Sequence, residues 1–189
     1  AMKRGRWLES AVIAACEEQE GWLVERPLLY LRDEEFRIGA TPDAIATDHA
    51  GKFLVQCKVV AKPVFDRDWL GEPPLGYQLQ TLTEAMLWGA PRACVAALVV
   101  DTYTAELHTF PIERHAGAEA KIREAVLKFW QDIDAGLQPS ADYALDAETI
   151  RKVFPPRDDA PPIDLTGDNM LPLLLSERAM QKAAIKERE

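Results

Sequence analysis

The sequence predicts an α/β fold in which one mixed sheet is flanked by helices. Amphipathic segments with helical spacing alternate with short runs of branched apolar residues, and turn residues separate them. The chain has 189 residues, of which 48% are hydrophobic, and this is enough for one well-filled domain with an appendage. No internal repeat is visible.

The first element is expected to be a helix over residues 4–18. Its apolar positions recur at helical spacing and comprise Trp7, Ala11, Ala14 and Ala15. Three extended segments follow this helix, GWLVERPLLYLRD, FRIGATPDAIATD and KFLVQCKVV. Their branched and aromatic residues predict strands, and the letters DHAG before the third segment predict a turn.

The second half of the core alternates helices with two further strands. A proline-containing loop leads to GYQLQTLTEAMLWG, which predicts a helix that ends at Gly89. The most apolar run is ACVAALVVD, and its short length and branched residues predict a buried central strand. TAELHTFPIE predicts the hairpin partner of this strand, and AEAKIREAVLKFWQDIDAG predicts an amphipathic helix that ends at Gly136.

These elements predict three regions. We expect residues 1–138 to form the core and residues 139–170, which are rich in Pro and Asp, to form an arm or linker. Residues 171–189 have a helical pattern and predict a C-terminal helix.

The composition indicates the cellular compartment and the kinds of binding partner to expect. Cys16, Cys57 and Cys94 are far apart and odd in number, so neither a disulfide framework nor a zinc site is expected. No stretch is apolar enough for a membrane span, and we expect a soluble protein of the reducing cytoplasm. The net charge of -9 counts against a nucleic-acid binder, although a metal-dependent nuclease can combine an acidic surface with a basic groove.

Polar residues interrupt the third extended segment. Gln56 and Lys58 share one face of the predicted strand, because side chains two residues apart point the same way. If DHAG is the tip of a hairpin, Asp43 lies directly opposite Gln56. One interpretation is a purely structural polar cluster. The other is a site where oxygen ligands hold Mg²⁺ over a phosphate and the ammonium screens developing charge.

The same residues resemble the motifs of a known group of enzymes. RDEEFRIGATPDAI, then VQCK, then YQLQ resemble the PD-(D/E)XK nucleases, and within them the YqaJ-like viral recombinase exonucleases related to the lambda phage exonuclease. The similarity runs from about residue 4 to residue 143, and the tail resembles the C-terminal helix of phage and prophage members. The resemblance implies a restriction-endonuclease-like core with a C-terminal arm and helix. Relatives usually carry a DNA-gripping region before the first helix, so one interpretation is that the chain is a fragment.

The resemblance also implies roles for individual residues. Asp43 and Gln56 correspond to catalytic metal ligands, and Lys58 corresponds to the catalytic lysine. The other residues with implied roles are Glu9 and the Cys57 backbone carbonyl as further metal ligands, and Asp33, Gln78 and Gln80 as supporting residues.

Two residues of the predicted helix need to be distinguished. Gln78 and Gln80 cannot both face the site, because residues two apart lie on different sides of a helix. We expect Gln78 to make the contact and Gln80 to be secondary. Around the loop, the candidate contacts to DNA are Arg32, Lys62, Arg67 and Trp69.

The function expected from these residues is a Mg²⁺-dependent deoxyribonuclease, with Mn²⁺ as a substitute ion. The resemblance implies a 5′→3′ exonuclease on double-stranded DNA ends in phage-type recombination, a homotrimer, a single-strand annealing protein as partner and a bacterial host cytoplasm. Gln56 departs from the family, which usually has Glu there. The alternative is therefore a catalytically weakened DNA-binding or structural module, unless Glu84 on the helix replaces the missing acid.

Overall fold

The computed structural model describes residues 2–138, 140, 142, 145–155, 164, 167–168 and 170–187. Two compact units are present, Ala1–Gln138 and Pro139–Glu189. The strands are β1 (Leu23–Glu25), β2 (Leu31–Asp33), β3 (Ile38–Ala40), β4 (Ala44–Asp48), β5 (Gly51–Ala61), β6 (Arg92–Val100) and β7 (Ala105–Glu113). The helices are α1 (Met2–Glu20), α2 (Lys62–Asp68), α3 (Leu75–Trp88), α4 (Ala116–Asp134), α5 (Ala147–Val153) and α6 (Leu171–Lys186).

A five-stranded mixed sheet organises the first unit. Its strand order is β1-β4-β5-β6-β7, and β5 and β6 pair in parallel while the other neighbours are antiparallel. A parallel pair needs a crossover, and α2 and α3 provide it between β5 and β6. The prediction of a mixed sheet flanked by helices is confirmed.

The hairpin of β4 and β5 has the predicted register. Asp48 pairs with Gly51 across the tip, and Ala44 pairs with Val55. Asp43 immediately precedes β4, so this register carries it toward Gln56 on the neighbouring strand. The long strand β5 therefore forms the floor on which the polar residues are arranged.

The core lies on both faces of β5 and β6. On one face, α1 packs Val12, Ile13 and Cys16 against the sheet. The predicted apolar stripe of α1 is wrong at Trp7, which is 74% exposed, and at Ala11 and Ala14, which face outward, whereas Ala15 packs against the core as predicted. The larger branched side chains, rather than the alanines and the tryptophan, determine which side of this helix is buried.

The extended segments are more broken than predicted. Pro27 and Pro42 interrupt the first two runs, which form four short strands instead of two. Among the described residues, β2 and β3 pair with each other alone and form a separate ribbon. The loop expected after β5 begins with α2, because Pro63 near the start of that helix has a backbone angle suited to a helix.

Helices α3 and α4 follow their sequence signals. Gly89 ends α3 in the left-handed conformation, with φ of 73°, as expected of a glycine after a helix. α4 ends at Asp134, and Gly136 with φ of 69° follows it. Between these helices, Arg114 forms an ion pair with the buried Glu119 and donates to the carbonyl of Ala90 at 2.9 Å.

The second unit contains α5 and α6. The carboxylate of Asp168 accepts hydrogen bonds from the backbone N–H groups of Met170 (2.8 Å) and Leu171 (3.0 Å) at the start of α6. α5 lies within the region expected to be an arm, much of which falls outside the described residues, as do positions 188 and 189 of the predicted final helix. In the part of the chain that the structure describes, none of the helices has the length and apolar character needed to cross a membrane.

Candidate functional site

A cleft of about 560 Å³ opens between α1, the β4–β5 hairpin and α3. Its lining residues are Gly5, Glu9, Val12, Asp43, Gln56, Cys57, Lys58, Val59 and Gln80. The structure therefore places in one cleft the aspartate, the glutamine and the lysine that the sequence singled out. Glu9 from α1 and Gln80 from α3, which are also among the predicted residues, line the same cleft.

The carboxylate of Asp43 is held at the base of the cleft. Its Oδ2 atom accepts a hydrogen bond from the Cys57 backbone N–H at 2.9 Å and a short one from Gln56 Nε2. Burial raises the pKa of Asp43, and the Cys57 N–H and the Lys58 ammonium partly offset this effect by favouring the charged form. The carboxylate is thus fixed in position by groups on β5.

Gln56 connects the sheet to α3. Its side chain is 2% exposed, and its Oε1 atom accepts a hydrogen bond from Gln80 Nε2 at 3.1 Å. The same Gln80 nitrogen donates to Glu84 Oε1, also at 3.1 Å. A continuous chain of hydrogen bonds therefore runs from Asp43 through Gln56 and Gln80 to Glu84.

Lys58 lies at the open side of this chain. Its Nζ atom donates to Gln80 Oε1 at 3.3 Å and sits 4.8 Å from the ring centre of Tyr77. Tyr77 was not among the residues predicted for the site. The signal for it was its position one helical turn before Gln80, which places both side chains on neighbouring parts of one face.

Glu9 reaches the cleft from α1. Its Oε1 atom lies 3.3 Å from Arg26 Nη2, and its charge contributes to raising the pKa of Asp43. The negative charge of Glu9 is therefore shared between the cleft and Arg26.

Several predicted residues lie elsewhere. Gln78 donates to the Pro73 carbonyl at 2.6 Å and faces a separate groove beside Pro111 and His115, so the expected order of the two glutamines is reversed. The carboxylate of Asp33 accepts from the Phe36 N–H at 3.1 Å and stabilises a turn.

The predicted DNA contacts are also outside the cleft lining. The cations form exposed pairs with nearby carboxylates, and the pairs are Arg32 with Glu34, Lys62 with Asp66, and Arg67 with Asp68. Trp69 is buried against Phe65 and Phe110 and serves the core. The structure does not bring these four residues to the predicted site.

The donors in the cleft suit a cation that prefers oxygen. Asp43 and Glu9 supply carboxylate oxygens, and Gln56 has an amide oxygen, while no histidine lines the cleft. Gln56 presents its Nε2 atom to Asp43, so its amide must turn before its oxygen and the carboxylate face the same ion. Among the described residues, no group of three His, Cys, Asp or Glu side chains lies close enough together to hold a metal ion.

Comparison with solved structures identifies the fold. The alkaline exonuclease LHK-Exo from Laribacter hongkongensis superposes with a TM-score of 0.62 at 21% identity, over 80% of this chain and 75% of that chain. The chain has the fold of this alkaline exonuclease. The same exonuclease in complex with dAMP gives a TM-score of 0.59 at 19% identity, over 80% of this chain and 75% of that chain.

A phage-related exonuclease shares this exonuclease fold as well. The protein from Haemophilus somnus superposes with a TM-score of 0.52 at 14% identity, over 71% of this chain and 72% of that chain. The sequence itself matches no protein-family model and no curated protein. The predicted restriction-endonuclease-like core is therefore confirmed at the level of the fold.

Proposed function

We propose that this protein is a Mg²⁺-dependent deoxyribonuclease that degrades double-stranded DNA from its ends in the 5′→3′ direction. Phage-type recombination is the process in which such an activity is used, with a homotrimer as the working form and a single-strand annealing protein as partner. Mn²⁺ is expected to substitute for Mg²⁺. These details extend the resemblance of the motifs to the YqaJ-like exonucleases.

One observation carries the proposal. A carboxylate, an amide and an ammonium from Asp43, Gln56 and Lys58 line a single cleft on a chain with an exonuclease fold. Carboxylate and amide oxygens are the ligands that Mg²⁺ uses in proteins, and a nearby ammonium stabilises charge at a phosphoryl group. The arrangement therefore supports hydrolysis of a phosphodiester.

Each side chain has a part in the proposed reaction. Asp43, Gln56, Glu9 and the Cys57 carbonyl would hold Mg²⁺, which supplies Lewis-acid stabilisation and lowers the pKa of a bound water. Asp43 is already fixed by the Cys57 N–H, so its carboxylate needs little rearrangement. Lys58 would turn its ammonium from Gln80 toward the scissile phosphate and screen the charge that develops there.

The experiment that tests the proposal compares linear with circular duplex DNA in the presence of Mg²⁺. An exonuclease releases nucleotides from the linear DNA only. The Asp43→Ala variant should show no Mg²⁺-dependent cleavage and should still fold, with a lowered melting temperature because the Gln56 amide and the Cys57 N–H lose their acceptor. Cleavage by Asp43→Ala at the wild-type rate would refute the assignment.

A second candidate function is a DNA-binding module with weak or no catalysis. Gln56 is neutral and directs its nitrogen toward Asp43, an orientation that favours this candidate. The same assay distinguishes the two functions, because a DNA-binding module leaves duplex DNA uncleaved at every Mg²⁺ concentration although it binds that DNA.

A further inference from the structure

Glu84 is a buried acid that the proposed ligand set does not include. It lies on the inner face of α3 and is 2% exposed. One of its carboxylate oxygens accepts from Gln80, and the other has no hydrogen-bond partner among the residues that the structure describes. A carboxyl group in such a place is unfavourable for stability, so packing does not explain it.

The geometry points to Glu84 as a positioning residue of the cleft. We propose that Glu84 fixes the side-chain amide of Gln80, and that Gln80 in turn keeps the side chains of Gln56 and Lys58 in the cleft, within reach of the ion and the phosphate toward which they turn. This inference rests on the proposed nuclease function. Glu84 acts through Gln80 and is not one of the proposed metal ligands.

The first step of the argument is the spacing on α3. Gln80 and Glu84 are four residues apart, so their side chains meet on one face of the helix. Both bonds from Gln80 Nε2 go to oxygen acceptors, one on Glu84 and one on Gln56. With the nitrogen fixed in this way, Gln80 Oε1 must face the opposite direction.

The second step is the consequence for the two cleft residues. Gln80 Oε1 receives the Lys58 ammonium at 3.3 Å, so the same amide controls both Lys58 and Gln56. If Gln80 turned over, its NH₂ group would face the ammonium and its oxygen would face the oxygen of Gln56. In its ionised form Glu84 opposes that rotation, because a carboxylate can only accept and therefore needs the nitrogen of Gln80.

The test uses the full chain and two substitutions of Glu84. Glu84→Met keeps the length and apolar stem but removes the acceptor, and we expect kcat to fall about tenfold or more, since misplaced groups are costly to catalysis. KM and duplex affinity should stay within about twofold of the wild-type values, because the variant leaves the DNA-facing surface intact. Glu84→Gln should retain most of kcat, since its amide oxygen can still accept from Gln80.

A structural readout accompanies the kinetics. In NMR spectra, the side-chain NH₂ signals of Gln56 and Gln80 should shift in Glu84→Met and remain near their wild-type positions in Glu84→Gln. Thr81→Val is the matched control, because Thr81 is buried on the same helix and its hydroxyl donates to the Tyr77 carbonyl of that helix at 2.8 Å. Gln80→Met removes the same link from a more exposed position and should reproduce both effects of Glu84→Met.

Specific outcomes would overturn the proposal. They are a kcat of Glu84→Met within about twofold of wild type, an equal loss of kcat in Thr81→Val, and an unshifted Gln56 signal in Gln80→Met. If the wild-type protein cleaves no DNA, the proposed function fails by itself. The NMR signals then test the positioning role by themselves. An unshifted Gln56 NH₂ signal in Glu84→Met contradicts that role, and a shifted signal supports it.

Discussion

At the scale of single residues, the cleft contains a neutral amide at a point where charge would attract a cation. Gln56 donates to Asp43 and accepts from Gln80, so its polar atoms are satisfied without an ion. The buried amide therefore adds no like charge beside Asp43 in the metal-free protein. Gln56 therefore lowers the cation affinity expected of the proposed site and keeps Asp43 hydrogen-bonded.

Replacing Gln56 with Glu tests this interpretation. Gln56→Glu should tighten Mg²⁺ binding and raise cleavage at limiting Mg²⁺, because a second carboxylate then faces Asp43. Thermal unfolding with and without Mg²⁺ is the measurement, and Mg²⁺ should stabilise the variant more than the wild type. Gln131→Glu, an exposed change of the same charge on α4, is the control. A loss of stability that Mg²⁺ does not relieve would indicate a purely structural polar cluster.

Lys58 is expected to act in the chemical step rather than in DNA binding. Lys58→Ala should lower kcat by a factor that corresponds to about 3 kcal/mol, the usual contribution of one positioned charge-stabilising group. Duplex affinity should change little, as measured by fluorescence anisotropy. Lys52→Ala removes an exposed lysine of the same strand and should affect neither quantity. Equal losses of affinity and rate in Lys58→Ala would make this lysine a phosphate clamp.

Glu84 should make stability depend on pH. Burial raises the pKa of Glu84 from 4.5 to about 7, so the folded protein binds a proton that the unfolded chain has released between these values. The contribution of Glu84 to stability is therefore fully present below pH 4.5 and is lost as the pH rises to about 7.

Glu84→Gln removes this titration. Relative to the wild type, the variant should gain about 3 kcal/mol of unfolding free energy between the two ends of that pH range. Urea unfolding at a series of pH values measures the gain. A difference between the two proteins that stays constant across the range would contradict the raised pKa.

At the scale of elements, an ion pair joins the end of α3 to the start of α4. Arg114 contacts both carboxylate oxygens of Glu119, whose side chain is only 9% exposed, and also reaches the Ala90 carbonyl behind α3. The pair lowers the pKa of Glu119 through the hydrogen bond from Arg114. It therefore fixes the helix that carries Gln80.

Breaking this pair should destabilise the protein. Arg114→Met leaves a buried carboxylate without its partner and should cost about 3 kcal/mol of unfolding free energy. The double variant Arg114→Met with Glu119→Gln should recover part of the loss, since the uncompensated charge is gone. Lys128→Met, which breaks an exposed pair with Asp132 on α4, should cost less than about 1 kcal/mol. Similar losses of unfolding free energy in Arg114→Met and Lys128→Met would show that the buried pair stabilises the protein no more than the exposed pair does.

At the scale of the whole molecule, the sequence pattern predicted the part of the cleft that the β4–β5 hairpin forms. Tertiary packing determined which side chains α3 contributes. The turn before β5 set the hairpin register, and this was enough to place Asp43 opposite Gln56. The rotation of α3 is different, because it depends on how Leu82 and Met86 pack in the core. Sequence spacing could show that only one of two glutamines faces the cleft, but not which one.

The acidic net charge of the molecule is accompanied by local pairing of its surface cations. The net charge of -9 is spread over a surface whose predicted DNA-contacting cations are paired with carboxylates. Composition predicted an acidic protein but could not show that Arg32, Lys62 and Arg67 lie outside the cleft lining. Each of these cations pairs with a carboxylate one to four residues away along the chain, so the pairing is local, whereas the position relative to the cleft depends on the fold.

The parallel pairing of β5 with β6 has a consequence for the order in which the chain folds. β4 and β5 are joined by a tight turn, and such hairpins form within about 1–10 μs. β6 can pair with β5 only after α2 and α3 have been made and have crossed the sheet, and pairing over long separations is slow. We therefore expect the contact between Asp43 and Gln56 to form early in folding, and Gln80 to join them when α3 packs on the sheet. The cleft is therefore expected to be completed only when the crossover that carries Gln80 has packed between β5 and β6.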